Sequence, residues 1–191
     1  MISAVQVTPA VEEGGVVRRH RVFRAALEAL AHPGRWYTPL PARTGRDGSD
    51  QLASLLVESM CDPRSPLFIA GGELQLSWEP VRARREDAGT LVVFGPLPAE
   101  TLMAARRGSE LAPEDGATIV SAAPADVSKP VRLRGPGIDG ECDALLPLDP
   151  EALRARDIAC AAYPLGIDLL FVSPERGISG LPRTTRVEVL A

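Results

Sequence analysis

Arginines, two threonines and one aspartate are the side chains in this sequence whose types and spacing could do chemistry. Pro182 fixes φ and removes a backbone donor, so Arg183-Thr184-Thr185 leaves it in a constrained direction. A guanidinium and two hydroxyls held that way suit an anion or a neighbouring protein chain. Asp168 interrupts the apolar run Ile167–Val172 close to its start. A lone acid there must be paired or sit at an exposed strand end, because an unpaired buried charge is costly. Arg132 and Arg134 run into Gly135-Pro136-Gly137, which is either a close backbone approach to a ligand or a sharp turn ending a strand. Arg19 and Arg24 lie on a basic helix face, and Arg186 follows Thr185. Brought together, such arginines would grip phosphate or partner carboxylates through bidentate geometry; left apart, they are solvated charge or salt bridges.

Other chemistries find less support. His20 and His32 stand twelve apart and belong to no HxH, HExxH or Cys-rich pattern, so no metal ligand set is expected. No GxGxxG, P-loop or GxSxG sequence occurs. Of 21 basic residues only Lys129 is lysine, and it precedes Pro130 in a polar loop, a poor place for a Schiff-base amine. Cys61, Cys142 and Cys160 have no CxxC spacing and read as small packing residues in a reducing compartment. The net charge of −4 gives no global reason to bind nucleic acid or an anionic membrane. With no signal-like or membrane-length apolar stretch, a cytoplasmic location is expected.

The elements that must position these residues follow from periodicity. Residues 1–15 read as a loose leader, and 16–191 as one α/β domain. Val16–Ala31 reads as an amphipathic helix with Phe23, Leu27 and Leu30 on its apolar side, stopped by His32-Pro33-Gly34. Trp36–Leu40 is a strand candidate and Pro41–Gly48 a loop. Ser49 or Asp50 would cap a second helix reaching Met60. Pro66–Ala70 and Thr90–Phe94 are strand candidates, and the alternation of Leu74, Leu76 and Trp78 between them fits strand or helix. Pro98–Arg107 and Pro150–Ala162 read as helices. Gly116–Ala123, Val131–Arg134 and Ile167–Val172 read as strands, followed by a closing hairpin that ends near Val189. The expectation is a mixed sheet flanked by helices.

Three blocks of the chain resemble the PhnH component of the bacterial carbon–phosphorus lyase machinery, which takes part in phosphonate utilisation. They are Phe23-Arg24 through His32-Pro33-Gly34; Gly108–Thr118 with Leu133-Arg134-Gly135-Pro136-Gly137-Ile138; and Pro164-Leu165-Gly166-Ile167-Asp168 through Leu181-Pro182-Arg183-Thr184-Thr185. The family often has Phe where this chain has Tyr163. The resemblance implies a three-layer α/β/α sandwich like that of pyridoxal-phosphate-dependent transferases, without the cofactor. It also implies a homodimer joined to the core subunits G, I and J in a complex that moves the ribose triphosphate of ATP onto methylphosphonate. The PhnH component would then be an assembly or ligand-sensing part with no catalytic residue of its own. Arg24, Arg134, Gly135, Gly137, Asp168, Arg183, Thr184 and Thr185 become candidates for contact with a phosphate or nucleotide, or with a neighbouring chain of the complex. The alternative is a self-sufficient transferase or hydrolase in which Arg134 and Arg183 clamp phosphate and Asp168 is the base.

Overall fold

Short, almost unbroken apolar runs form the centre of the main sheet, as expected of strands covered on both faces. The computed structural model describes residues 14–41, 46–122 and 128–190. Its first half holds α1 (Gly15–Ala31), β1 (Trp36–Tyr37), α2 (Arg46–Met60), β2 (Leu67–Ala70), β3 (Thr90–Phe94) and α3 (Ala99–Ala104). After a 3-10 turn at Pro113–Asp115 come β4 (Thr118–Ala122), β5 (Lys129–Arg134), β6 (Cys142–Leu146) and α4 (Pro150–Ala159). β7 (Asp168–Ser173), β8 (Gly177–Leu181) and β9 (Arg186–Val189) complete the described elements.

The expected α/β class with a mixed sheet is the one observed. Six strands lie in the order β1-β8-β7-β4-β3-β2. β2, β3, β4 and β7 are parallel, and β8 and β1 add antiparallel pairs at one edge. Alternate residues supply two cores. Leu91, Val93, Ile119, Leu169 and Phe171 cluster with Leu102 of α3, Leu153 of α4 and Val131 and Leu133 of β5. Val92, Val120, Leu170 and Val172 cluster instead with Val22 and Ala26 of α1 and Leu56 of α2. Each fully buried aliphatic side chain contributes roughly 1.5–3 kcal/mol of burial.

Several expectations are corrected. α1 buries Val22, Ala25, Ala26 and Ala29, not Phe23 and Leu27, which are exposed. Small residues face the sheet because the approach is close: a Cβ on Gly180 of β8 would lie 2.6 Å from the Ala29 carbonyl. α2 begins at Arg46, so Ser49 and Asp50 sit inside it rather than at its cap. Leu74, Leu76 and Trp78 belong to neither helix nor strand. They pack against the α1–α2 core as a strap whose Gln75 N–H donates to Ser54 Oγ at 2.9 Å. β1, α3 and α4 are shorter than periodicity predicts. β6 had no signal. β9 leaves the hairpin formed by β7 and β8 and joins β5 in a separate antiparallel sheet, ordered β6-β5-β9. Residues 1–13 of the expected leader, part of the 41–48 loop, and Ala123 at the end of the expected Gly116–Ala123 strand lie outside the described residues.

Candidate functional site

Asp168 is the first residue of β7, and the chain returns to it fifteen residues later, after β8, where Pro182 turns the backbone. The turn is closed by Thr185 N–H donating to the Pro182 carbonyl at 3.0 Å. This places Arg183 over Asp168. Its backbone N–H donates to Asp168 Oδ1 at 2.8 Å, and its Nη2 to Oδ2 at 2.6 Å. Nε spans both carboxylate oxygens at 3.1 and 3.3 Å. Nη1 reaches the Pro113 carbonyl at 2.6 Å and the Pro164 carbonyl at 3.5 Å. The arginine side chain is 14% exposed and the aspartate 23%. The lone acid is therefore paired, as its place in an apolar run required. Four of the five guanidinium N–H groups are committed to protein acceptors, so an incoming anion would meet a carboxylate already in the fork.

The location argues the same way. In open α/β sheets ligands bind beyond the carboxyl ends of the parallel strands. Asp168 pairs in register with Thr118, the first residue of β4, so the ion pair sits at the amino-end edge. Glycines bring the neighbouring loops onto it. A Cβ on Gly116 would strike the Gly166 carbonyl and crowd both terminal nitrogens of Arg183. Gly135 lies against Thr184 and Thr185, where an added Cβ would be 3.0 Å from the Thr184 carbonyl. Gly137, at φ +81°, lies so close to the Ala31 carbonyl at the end of α1 that a side chain there would collide with it. Gly135-Pro136-Gly137 thus ends a strand and docks its loop between the Pro182 turn and α1.

Of the remaining candidates, Thr185 is buried with no hydrogen-bond partner for its Oγ1. Arg134 binds Glu141 through Nε at 3.0 Å and Nη2 at 2.7 Å on an exposed surface, and Arg132 beside it binds Asp143. Arg24 is exposed and approaches Glu28 one helical turn away at 3.8 Å. Arg19, Arg24, Arg132, Arg134 and Arg183 are thus each engaged by a carboxylate, while Arg186, the last arginine expected to converge on an anion, is exposed on β9. Sequence reading missed Arg156. It lies at i+4 from Ala152 and i−3 from Ala159, on the buried stripe of α4. Its Nη2 donates to the Pro182 carbonyl at 2.6 Å and its Nη1 to exposed Asp157 at 3.2 Å. An arginine inside an apolar helical repeat was the available signal.

The thiols of Cys61 and Cys142 have little nucleophilic character. Burial raises Cys61 above its ordinary 9.0 despite a hydrogen bond to Thr90, and desolvation raises Cys142. Both stay protonated at neutral pH. Among the described residues no three His, Cys, Asp or Glu side chains gather into a possible metal site. No helix there is long and apolar enough to cross a membrane.

Fold and site together define a mixed α/β protein whose distant loops are tied to one internal ion pair. The family model of the bacterial phosphonate metabolism protein PhnH matches residues 14–188. A putative C-P lyase subunit protein, HtxG of Stutzerimonas stutzeri, is 32% identical over 177 residues, spanning 90% of this chain and 87% of that one. The chain belongs to the PhnH family of phosphonate metabolism proteins.

Proposed function

We propose that this chain is the PhnH component of a carbon–phosphorus lyase core complex, acting there as a non-catalytic assembly or ligand-sensing part. The observation that carries this reading is the occupancy of Arg183, whose guanidinium is spent on Asp168 and on two loop carbonyls. The similarity to a protein described as a C-P lyase subunit supports the complex. In this reading residues 16–191 form one domain. Its packing on both faces of the sheet agrees with a three-layer α/β/α sandwich of the pyridoxal-phosphate-dependent transferase type. The protein works in the cytoplasm as a homodimer joined to the core subunits G, I and J. The complex transfers ribose triphosphate from ATP to methylphosphonate and releases adenine.

Co-expression with G, I and J followed by size-exclusion chromatography tests it. The chain is expected to co-elute with them, and the purified chain alone is expected to release no adenine from ATP and methylphosphonate. Independent elution under all conditions defeats the reading. Adenine release by the isolated chain would restore the alternative of a self-sufficient transferase built on Arg134, Arg183 and Asp168.

A further inference from the structure

Two loops at the amino-end edge of the main sheet are fixed by one guanidinium nitrogen, and each raises a large apolar side chain into solvent. Arg183 Nη1 holds both, through the Pro113 and Pro164 carbonyls. Behind them Gly116 abuts Gly166, and the Gly166 N–H donates to the Arg107 carbonyl at 2.9 Å. Within the first loop Ser109 and Ala112 exchange backbone N–H to carbonyl bonds, both 3.1 Å long. Ser109 Oγ also accepts from the Ala112 N–H. The result is a tight turn with Glu110 and Leu111 at its tip. Leu111 is 97% exposed there, and Tyr163, beside Pro164 in the second loop, is 78% exposed.

Single exposed leucines are ordinary on protein surfaces. This one differs because its backbone is closed by reciprocal hydrogen bonds and the loop is tied to a second one by a largely buried ion pair. An aliphatic and an aromatic side chain on a fixed backbone lose little entropy on docking, which is what interface anchors require.

We propose that Leu111 and Tyr163 anchor a docking surface for a different polypeptide of the complex, which receives them in an apolar recess rimmed by basic side chains. This rests on the reading of the chain as part of a complex. Charge selects the partner. Glu110 is exposed at the tip and Glu114 on the 3-10 turn that follows it, neither with an ion-pair partner among the described residues. Arg106 is taken by Asp115 at 3.7 Å, and Arg107 lies at the base of the loop on the Met103 carbonyl. A second copy related by a two-fold axis passing close to Glu110 and Glu114 would bring them near their own symmetry mates, like charge against like. Arg183 acts here as a positioning residue: it sets the two loops and stays out of the contact.

The test is recovery of the full-length chain with tagged subunits G, I and J after co-expression, comparing wild type with Leu111→Asp/Tyr163→Ser. The isolated double variant is expected to keep the wild-type circular dichroism spectrum and Tm, while its recovery falls about tenfold or more. Glu110→Arg/Glu114→Arg, which removes no packed atom, is expected to lower recovery too and serves if the first variant fails to fold. Arg183→Met should raise amide exchange across 108–116 and 162–166 and reduce recovery with it. Undiminished recovery of both surface variants overturns the docking surface and leaves the proposed place in the complex standing. Failure of the wild type to co-purify defeats that place in the complex instead. If the surface variants change the isolated chain's own oligomeric state, the occupant is a second copy, and the proposal of a different polypeptide is overturned.

Discussion

Arg183 holds Asp168 by two independent routes, its guanidinium and its own backbone N–H, at 2.6 and 2.8 Å. The backbone bond ties the turn after β8 to the start of β7 whatever side chain follows Pro182. The side chain adds the attachment of the Pro113 and Pro164 loops. Removing it leaves a partly buried carboxylate with one donor, the Pro164 carbonyl with none and the Pro113 carbonyl with only the Gly116 N–H, so Arg183→Ala should lower stability by about 2–4 kcal/mol. Arg183→Lys should recover less than half of that, because one ammonium cannot span Asp168, Pro113 and Pro164 together. Urea denaturation measures both; a loss under about 0.5 kcal/mol for the alanine variant would mean that the clamp does not hold the loops.

Gly137 makes a second, purely steric prediction. Its positive φ and its contact with the Ala31 carbonyl each exclude a side chain. Gly137→Ala should cost about 2–4 kcal/mol and loosen the loop from α1. Gly140, also at positive φ, has open space around it and should pay only the backbone strain, about 1 kcal/mol. The comparison of the two Tm values separates crowding from strain.

How much of this was legible beforehand differs by level. β3, β4 and β7 were readable because central parallel strands are apolar on both faces, a pattern that survives without knowledge of their neighbours. The buried face of α1 was not. Val22, Ala25, Ala26 and Ala29 are weak hydrophobic signals beside Phe23 and Leu27, and small residues win only because Gly180 lets the helix sit close. β9 could not be assigned a sheet, since strand pairing across a chain is not encoded in periodicity. At the site, the demand that Asp168 be paired was readable from burial cost alone. Its partner was the residue judged most able to hold an anion, and the same pairing turns that residue from a ligand group into a tie. The constellation of arginines was visible in sequence, but the carboxylates that engage them, Glu141, Asp143 and Glu28, lie nearby among many equivalent acids.

A pH-dependent signature is expected on the second sheet. Arg132, on β5, donates to Asp143 directly opposite it on β6. That hydrogen bond, reinforced by the guanidinium charge and opposed by desolvation, holds the Asp143 carboxyl below its ordinary 3.8. A carboxyl with a lower pKa in the folded state favours folding above the unfolded value, and the contribution is lost as pH falls through the folded value. NMR titration should therefore find Asp143 ionising below pH 3.8, with Arg132→Met moving it back up. Because the pair is exposed, about 0.5 M salt, a concentration at which the Debye length is only about 4–5 Å, should shrink the shift. A titration unchanged by Arg132→Met would disprove the assignment.

Arg156 should behave in the opposite way to Arg183, although it is the more deeply buried, its side chain being 3% exposed. Arg183 has a carboxylate gripped in its fork, whereas Arg156 has Asp157, its sequence neighbour, which is 52% exposed and keeps its water when the arginine is gone. Nε of Arg156 is buried with no partner at all, a cost borne in the folded state. The Pro182 carbonyl, which Arg156 caps at 2.6 Å, also accepts the Thr185 N–H and would not be orphaned by its loss. Replacing a poorly compensated buried cation with an apolar side chain of similar length is often neutral or stabilising. Arg156→Met should therefore change stability by less than about 1 kcal/mol in either direction, and Arg183→Met should cost clearly more. Parallel urea titrations of the two variants decide the point; equal losses would mean that burial, rather than the partner set, governs how these arginines hold the Pro182 turn.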